Sequence, residues 1–162
     1  MIERTLVLLK PDAVERCIIG EIITRFEKAG LKIVGMKMVW VDKRLSRKHY
    51  KEHVKKPFYP GLERYITAGP VVAIAIEGVH AVSNTRKIVG ETSSHKSLPG
   101  TIRGDFGHMS IEFADKSKRQ YTNLIHASSD IQSAKREISL WFNKNELHSY
   151  KTVHEKHVFG WQ

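Results

Sequence analysis

Several features are scarce or missing in this sequence of 162 residues, and each absence excludes a class of protein. Cys17 is the single cysteine, so no internal disulfide can form, which fits a reducing compartment. The longest uninterrupted apolar run, VVAIAI, is far too short to span a bilayer. The start, MIERTLVLLK, lacks the pattern of a secretory signal. We therefore expect a cytoplasmic protein without a membrane-spanning segment.

Glycine-rich phosphate-binding motifs are also missing. Neither G-x-x-x-x-G-K nor a G-x-G-x-x-G that follows a strand occurs in the chain. A nucleotide, if one binds, must therefore be held by side chains. Internal repeats, low-complexity tracts and linkers are likewise absent, so we expect a single domain over residues 1–162.

Acidic residues are outnumbered by basic ones, 17 against 27, which leaves a formal net charge of +10. Such an excess favours polyanionic partners, either nucleic acid or small phosphorylated molecules, and charge alone does not separate the two. One alternative is therefore a basic nucleic-acid-binding module. That alternative predicts aromatic pairs on central strands, and neither LVLLK nor VVAIAI contains any.

The apolar patterning predicts strands that alternate with helices. TLVLL, LKIVGMKMVWV and VVAIAIEG are typical of strands, whereas apolar residues recur at three- and four-residue spacing in CIIGEIITRFEKAG. The order indicates a ferredoxin-like split β-α-β fold of the α+β class, with helices on one face of a four-stranded antiparallel sheet. We expect residues 108–122 to add a hairpin whose turn is ADKSK, and the residues from Tyr150 onward to form a tail along the surface.

The octet NLIHASSD contains a candidate nucleophile, His126. A neutral imidazole can accept a phosphoryl group if a partner on its second nitrogen sets its tautomer. Glu137, two turns into the next predicted helix, could be that partner, and Ser128 could hold its carboxylate. Asn123 lies three residues before His126, so the two side chains converge only if the strand ends or bulges between them.

Three basic residues stand at element ends and in loops: Lys10, Arg86 and Arg103. Each alone is more often a surface charge, but arginine also grips phosphate with two parallel hydrogen bonds. Arg103 lies in GTIRGDF, where Asp105 could orient its guanidinium.

Two further features admit a structural or a functional interpretation. Phe58 could be a core aromatic or could stack on a base. His49 and His53 have the i, i+4 spacing of paired metal ligands on a helix, but the remaining ligands of a zinc site are missing. We therefore expect no metal ligated by the protein.

Taken together, ERTLVLLKPDAVERCIIGEIITRFEKAG, KKPFYPGL, GPVVAIAIEG, GET, PGTIRGDF and NLIHASSD resemble the nucleoside diphosphate kinase family over roughly residues 3–150. The resemblance implies ping-pong transfer of a terminal phosphoryl group from a nucleoside triphosphate to a nucleoside diphosphate through a phosphohistidine. It also implies Mg²⁺ carried by the nucleotide phosphates, no requirement for nucleic acid, and a homo-oligomer. A hexamer is our first expectation, with a tetramer or dimer as alternatives.

The resemblance also implies site residues. His126 would be phosphorylated on Nδ1, with Glu137 on the other ring nitrogen and Ser128 supporting Glu137. The implied nucleotide-binding residues are Lys10 near the ribose and terminal phosphate, Arg86, Thr92 and Arg103 on the phosphates, Asn123 on the sugar side, Phe58 on the base and Tyr50 in the cleft. Stacking on the base without contacts to its edge would give low nucleobase selectivity.

Two of the departures of this chain from the family pattern lie close to NLIHASSD. Ser129 stands where the family usually has an aspartate, and Asp130 follows it, which leaves the local capping role open. About ten more residues than usual separate RGDF from NLIH. We expect that added segment to lie near the nucleotide cleft or at a subunit contact.

Overall fold

The computed structural model describes residues 1–160. Its sheet has four strands, β1 (Ile2–Leu9), β2 (Lys32–Trp40), β3 (Pro70–Val79) and β4 (Ile125–Ala127), in the order β2-β3-β1-β4. Every pairing is antiparallel, and Leu8 of β1 lies opposite His126 of β4. The predicted four-stranded antiparallel sheet is confirmed.

Helices connect and follow these strands. They are α1 (Pro11–Glu15), α2 (Ile19–Lys28), α3 (Lys43–His49), α4 (Tyr59–Thr67), α5 (Ala81–Val89), α6 (Ile102–Phe106), α7 (Ile111–Lys116), α8 (Ile131–Trp141) and α9 (Glu155–Val158). Across residues 1–160, none of the helices has the length and apolar character needed to cross a membrane.

Helices cover both faces of the sheet, so the prediction of helices on one face is wrong. Successive side chains of a strand point to opposite faces. Val7 and Leu9 of β1 enter a core shared with α2 and α5, whereas Leu6 and Leu8 enter a second core shared with α4 and α8. All four side chains are fully buried, and the burial of each stabilises the fold by about 1.5–3 kcal/mol. Because both faces of the strand are buried, its apolar run is uninterrupted.

The hairpin predicted for residues 108–122 is also wrong, because the segment contains the helix α7. Ser110 caps it: the Ser110 Oγ accepts a 3.0 Å hydrogen bond from the Phe113 backbone N–H. Within the helix, Lys116 pairs with Glu112 at 2.7 Å across one turn. ADKSK is therefore the end of a helix and not a turn between strands.

The tail from Tyr150 packs against β2 as far as the structure describes it. The Tyr150 hydroxyl donates to the Ile33 carbonyl at 2.6 Å, and Lys32 pairs with Glu155 at 3.1 Å. This part of the predicted surface tail is confirmed, and residues 161–162 lie outside the described range.

Candidate active site

The ends of the two neighbouring strands β1 and β4 bring polar side chains together. Lys10 directly follows β1, and its ammonium donates a 2.7 Å hydrogen bond to Asn123 Oδ1. Leu124 has a left-handed φ of 67°, and β4 begins only at Ile125. This break lets Asn123 and His126 line the same cleft, which a regular strand would prevent.

His126, Glu137 and Ser128 form a connected triad. His126 Nε2 lies 3.0 Å from Glu137 Oε2, and Ser128 Oγ donates to the same oxygen at 2.7 Å. Glu137 lies on the buried face of α8, and its other oxygen is 3.4 Å from the guanidinium of Arg136. An ionised carboxylate only accepts hydrogen bonds, so the His126 proton lies on Nε2 and Nδ1 carries the lone pair.

The charges of this triad follow from burial. Burial is the main cause that lowers the pKa of His126, which keeps its imidazole neutral at pH 7. Burial alone would raise the pKa of Glu137, but the hydrogen bond from His126, with smaller contributions from Ser128 and Arg136, brings it below its usual value. A neutral imidazole beside an ionised carboxylate is the state in which Nδ1 is nucleophilic.

Arg103 is held by the backbone around the cleft rather than by Asp105. Its guanidinium donates to four carbonyls, those of Gly90, Glu91, Asn123 and Ile125, at 2.6–3.2 Å. The expected contact with Asp105 is wrong, because that carboxylate pairs with Arg25 at 2.6 Å. Burial lowers the pKa of Arg103 to about 10, so it stays charged at pH 7.

The other predicted phosphate ligands lie at the rim of the cleft. Arg86, in the last turn of α5, is exposed, and its guanidinium forms no hydrogen bond or ion pair within residues 1–160. Thr92 is also exposed, and its carbonyl accepts a 3.0 Å bond from the Asn123 side-chain amide. Lys10, in contrast, is buried. Its burial, followed by the charge of Arg103, lowers the pKa of Lys10 to about 7.

A row of rings leads away from His126. Tyr50 lies 6.4 Å from it, His53 lies 6.3 Å from Tyr50, and Phe58 lies 5.6 Å from His53, measured between ring centroids. Phe58 is 57% exposed, so the interpretation of Phe58 as a core aromatic is wrong. Its free ring face at the end of this row is suited to stacking.

One cleft of about 640 Å³ collects nearly all of the predicted residues. Its lining includes Lys10, Tyr50, Phe58, Arg86, Thr92, Arg103, Asn123, His126 and Glu137. Ser128 lies beneath it, fully buried. That volume suits a small ligand, and the cations around His126 suit an anionic one.

The comparison with known sequences now decides the family. A sequence model described as Nucleoside diphosphate kinase matches residues 3–147. The chain belongs to the nucleoside diphosphate kinase family. The nucleoside diphosphate kinase of Pyrococcus horikoshii is 55% identical over 148 residues, which are 91% of this chain and 90% of that protein.

Solved structures agree with this membership of the nucleoside diphosphate kinase family. A transition state mimic of nucleoside-diphosphate kinase from Borrelia burgdorferi, with bound vanadate and ADP, superposes with a TM-score of 0.93. It is 37% identical and covers 98% of this chain and 97% of its own. The Halobacterium salinarum nucleoside diphosphate kinase in complex with CDP gives 0.87 at 41% identity, over 98% and 99% of the two chains. The predicted fold and family are confirmed.

The departure from the nucleoside diphosphate kinase pattern after Ser128 has a local role. Asp130 caps α8: its carboxylate accepts a 2.8 Å bond from the Ser133 backbone N–H, and Ser129 Oγ donates to it at 2.6 Å. The Ser129 bond is the largest cause that lowers the pKa of Asp130, to about 2. The shifted aspartate thus anchors the helix that carries Glu137.

Sequence reasoning missed His49 as a neighbour of the nucleophile. Its ring packs edge-to-face on His126 with centroids 4.6 Å apart, and its Nδ1 accepts a 3.2 Å bond from Trp141 Nε1. His53 lies beyond the end of α3, so the two histidines do not form the helical pair considered above. Nitrogens of His49 and His126 and an oxygen of Glu137 lie within 4.8 Å of one another and could together ligate a metal.

The added segment lies at the cleft, which was one of its two expected positions, but its individual cleft residues were not predicted. Ile111, Asp115, Gln120 and Tyr121 line the cleft. The Tyr121 hydroxyl donates to the Thr92 carbonyl at 2.5 Å and accepts from the Ser94 N–H at 3.2 Å. The only sequence signal was the added length between RGDF and NLIH.

Proposed function

We propose that this chain moves the terminal phosphoryl group of a nucleoside triphosphate onto a nucleoside diphosphate through a phosphohistidine at His126. The observation that carries the proposal is the 3.0 Å contact between His126 Nε2 and Glu137 Oε2. Because that contact holds the proton on Nε2, the lone pair of Nδ1 is available in a cationic cleft. The names of the relatives support the same activity.

Two half-reactions balance the chemistry. In the first, the Nδ1 lone pair forms a bond to the γ-phosphorus while the bond to the β-phosphate oxygen breaks, and a nucleoside diphosphate leaves. In the second, a β-phosphate oxygen of the acceptor diphosphate forms the new bond and the N–P bond breaks. Positive charge that develops on the ring is stabilised by Glu137 through the Nε2–H.

The cations act chiefly on the phosphates. Lys10, Arg86 and Arg103 line the cleft and would neutralise charge on the transferring group. The bonds of Arg103 to the backbone fix its position before substrate arrives, which lowers the cost of reorganisation. Thr92 completes the phosphate end.

The nucleoside would occupy the rest of the cleft. Asn123 and Lys10, joined by their 2.7 Å hydrogen bond, can reach sugar hydroxyls, and Phe58 can stack on the base. Tyr50 is 8% exposed and forms the wall between these ends. The row of rings from His126 to Phe58 supports a ligand extended from phosphate to base.

Mg²⁺ would enter with the nucleotide phosphates and shield their charge. The residues of the cleft favour Mg²⁺ carried by the nucleotide over an ion bound by the protein itself. The carboxylate of Glu137 is already engaged by His126, Ser128 and Arg136. Mg²⁺ commonly combines one or two carboxylates with substrate phosphates and several waters. We assign no protein ligand to it.

Self-association is part of the proposal. The edge strand β2 exposes an apolar row on one face, Met36, Met38 and Trp40, at 55%, 58% and 68%. An edge strand with such a row is a site for pairing with another chain. We propose a homo-oligomer in the cytoplasm, a hexamer first, and light scattering on a sizing column would give its mass.

Labelling with γ-³²P ATP and Mg²⁺ tests the proposed activity. The wild type should acquire an acid-labile, alkali-stable label that chases onto added nucleoside diphosphate, and His126→Ala should acquire none. His53→Ala is the matched control, because His53 also lines the cleft but lies two ring contacts away from His126. Persistent label in His126→Ala would show that another residue is the nucleophile.

A further inference from the structure

The added segment, residues 108–122, forms one wall of the cleft beside α4. Ile111 and Asp115 are four residues apart on α7 and both line the cleft, so they share one helix face. Phe58 and Leu62 line it from the start of α4 with the same spacing. The helices α4 and α7 therefore each contribute one face to the lining of the cleft.

Contacts on both sides hold this wall in place. Gln120 lies against α4, where its Oε1 is 2.7 Å from the point that a Cβ on Gly61 would occupy. A side chain at position 61 would displace that amide from its present place. Tyr121 bonds the loop at Thr92 and Ser94, and Ala114 is 1% exposed in the packing of α7. The segment is thus positioned by packing and hydrogen bonds.

Asp115 is an exposed acidic member of this wall. Its carboxylate forms no ion pair or hydrogen bond within the described residues 1–160, although the protein has an excess of cations. Glu112, on the same helix, is paired with Lys116 and does not line the cleft. A free carboxylate beside apolar surfaces can accept hydrogen bonds from a ligand.

We infer that Asp115 reads the edge of the base and makes the enzyme favour guanine nucleotides. Guanine presents two adjacent donors, N1–H and the exocyclic amino group, which match the two oxygens of a carboxylate. Uracil places a single N–H between two carbonyls, which a carboxylate would repel. Phe58 would supply stacking common to all bases, and Asp115 the discrimination. This inference rests on the proposed function, and it differs from the expectation of low selectivity that the resemblance implies.

The test uses phosphorylated enzyme and three acceptors. Enzyme labelled from γ-³²P ATP is mixed with GDP, IDP or UDP, and kcat/KM for loss of label is measured for each. IDP keeps N1–H but lacks the amino group, so the expected order for the wild type is GDP, then IDP, then UDP. Asp115→Asn should reduce the preference for GDP over UDP by about five- to tenfold, since two parallel hydrogen bonds to a base discriminate by this order.

Two variants control for charge. Glu112→Gln removes a negative charge from the same helix but outside the cleft. It should change kcat/KM for all three acceptors by the same factor. Glu52→Gln removes the other unpaired cleft carboxylate and should leave the preference intact. Equal discharge to GDP and UDP in the wild type, or a preference that Glu52→Gln abolishes and Asp115→Asn does not, overturns the inference. Absence of label in every enzyme would instead refute the proposed function.

Discussion

Glu137 reaches His126 across a gap of 3.0 Å between Oε2 and Nε2, and Ser128 holds the same carboxylate oxygen at 2.7 Å. The carboxylate is 6% exposed, so water competes little for it. One contact therefore sets the orientation of the imidazole and the position of its proton. Changing the acceptor at this position should change which nitrogen of His126 can react.

Glu137→Gln is the sharpest test of that contact. The glutamine amide can donate to Nε2 of His126, which would move the ring proton to Nδ1 and remove the lone pair. We expect phosphoenzyme formation to slow by on the order of 10²-fold or more, because the related change in a Ser-His-Asp triad costs about 10⁴-fold. Single-turnover labelling from ATP measures it. Glu146→Gln, which removes a carboxylate paired with Lys37, is the control, and a wild-type rate in Glu137→Gln would contradict the assignment.

Replacing Arg103 should lower the stability of the protein, whereas replacing Arg86 should not. Arg103→Ala removes one donor from each of four carbonyls. The carbonyls of Glu91 and Asn123 keep a second bond, from the Ser97 hydroxyl and the Ile125 N–H, and we expect a loss of about 3 kcal/mol in the free energy of unfolding. That loss corresponds to a melting temperature lower by roughly 6–12 °C. Arg86→Ala should slow transfer while the melting temperature stays within about 2 °C, since the Arg86 side chain is exposed and has no partner in residues 1–160. Calorimetry beside the transfer assay distinguishes them, and equal melting temperatures would remove the structural role of Arg103.

Lys10 should destabilise the free protein most at low pH. The pKa of Lys10 is about 7 in the folded protein against an ordinary 10.5, so between these values the unfolded chain binds a proton that the folded chain lacks. Wild-type stability should therefore rise with pH over this range. Lys10→Met removes the group, so its advantage in melting temperature should be largest near pH 6 and shrink toward pH 10. Exposed Lys87→Met is the control, and a gap independent of pH would contradict the lowered pKa.

Tyr121 should affect substrate binding through the loop that it holds. Tyr121→Phe removes the hydroxyl that bonds Thr92 and Ser94, which should cost about 1 kcal/mol of stability and raise KM for the nucleotide several-fold. Tyr150→Phe removes a comparable bond to the Ile33 carbonyl outside the cleft. It should cost similar stability with KM unchanged. An unchanged KM in Tyr121→Phe would show that the loop holds its position without this bond.

Contacts between residues that are close in the sequence could be predicted, whereas contacts between distant residues could not. The contact of His126 with Glu137 was predictable because eleven residues comprise a strand end, a cap and two helical turns. The segment 108–122 was misread because a short apolar run suits a strand or a helix, and the Ser110 cap decides for the helix. The contact of His49 with His126 had no local signal.

The sequence by itself determined the apolar strands and the family motifs, and with them the candidate site residues that the motifs contain. Such features are carried by neighbours along the chain. Only the tertiary structure decided that Arg103 bonds four carbonyls rather than Asp105, and that Asp115 lines the cleft with Phe58. Those relationships join distant segments, and the packing of helices on both faces of the sheet sets their separation.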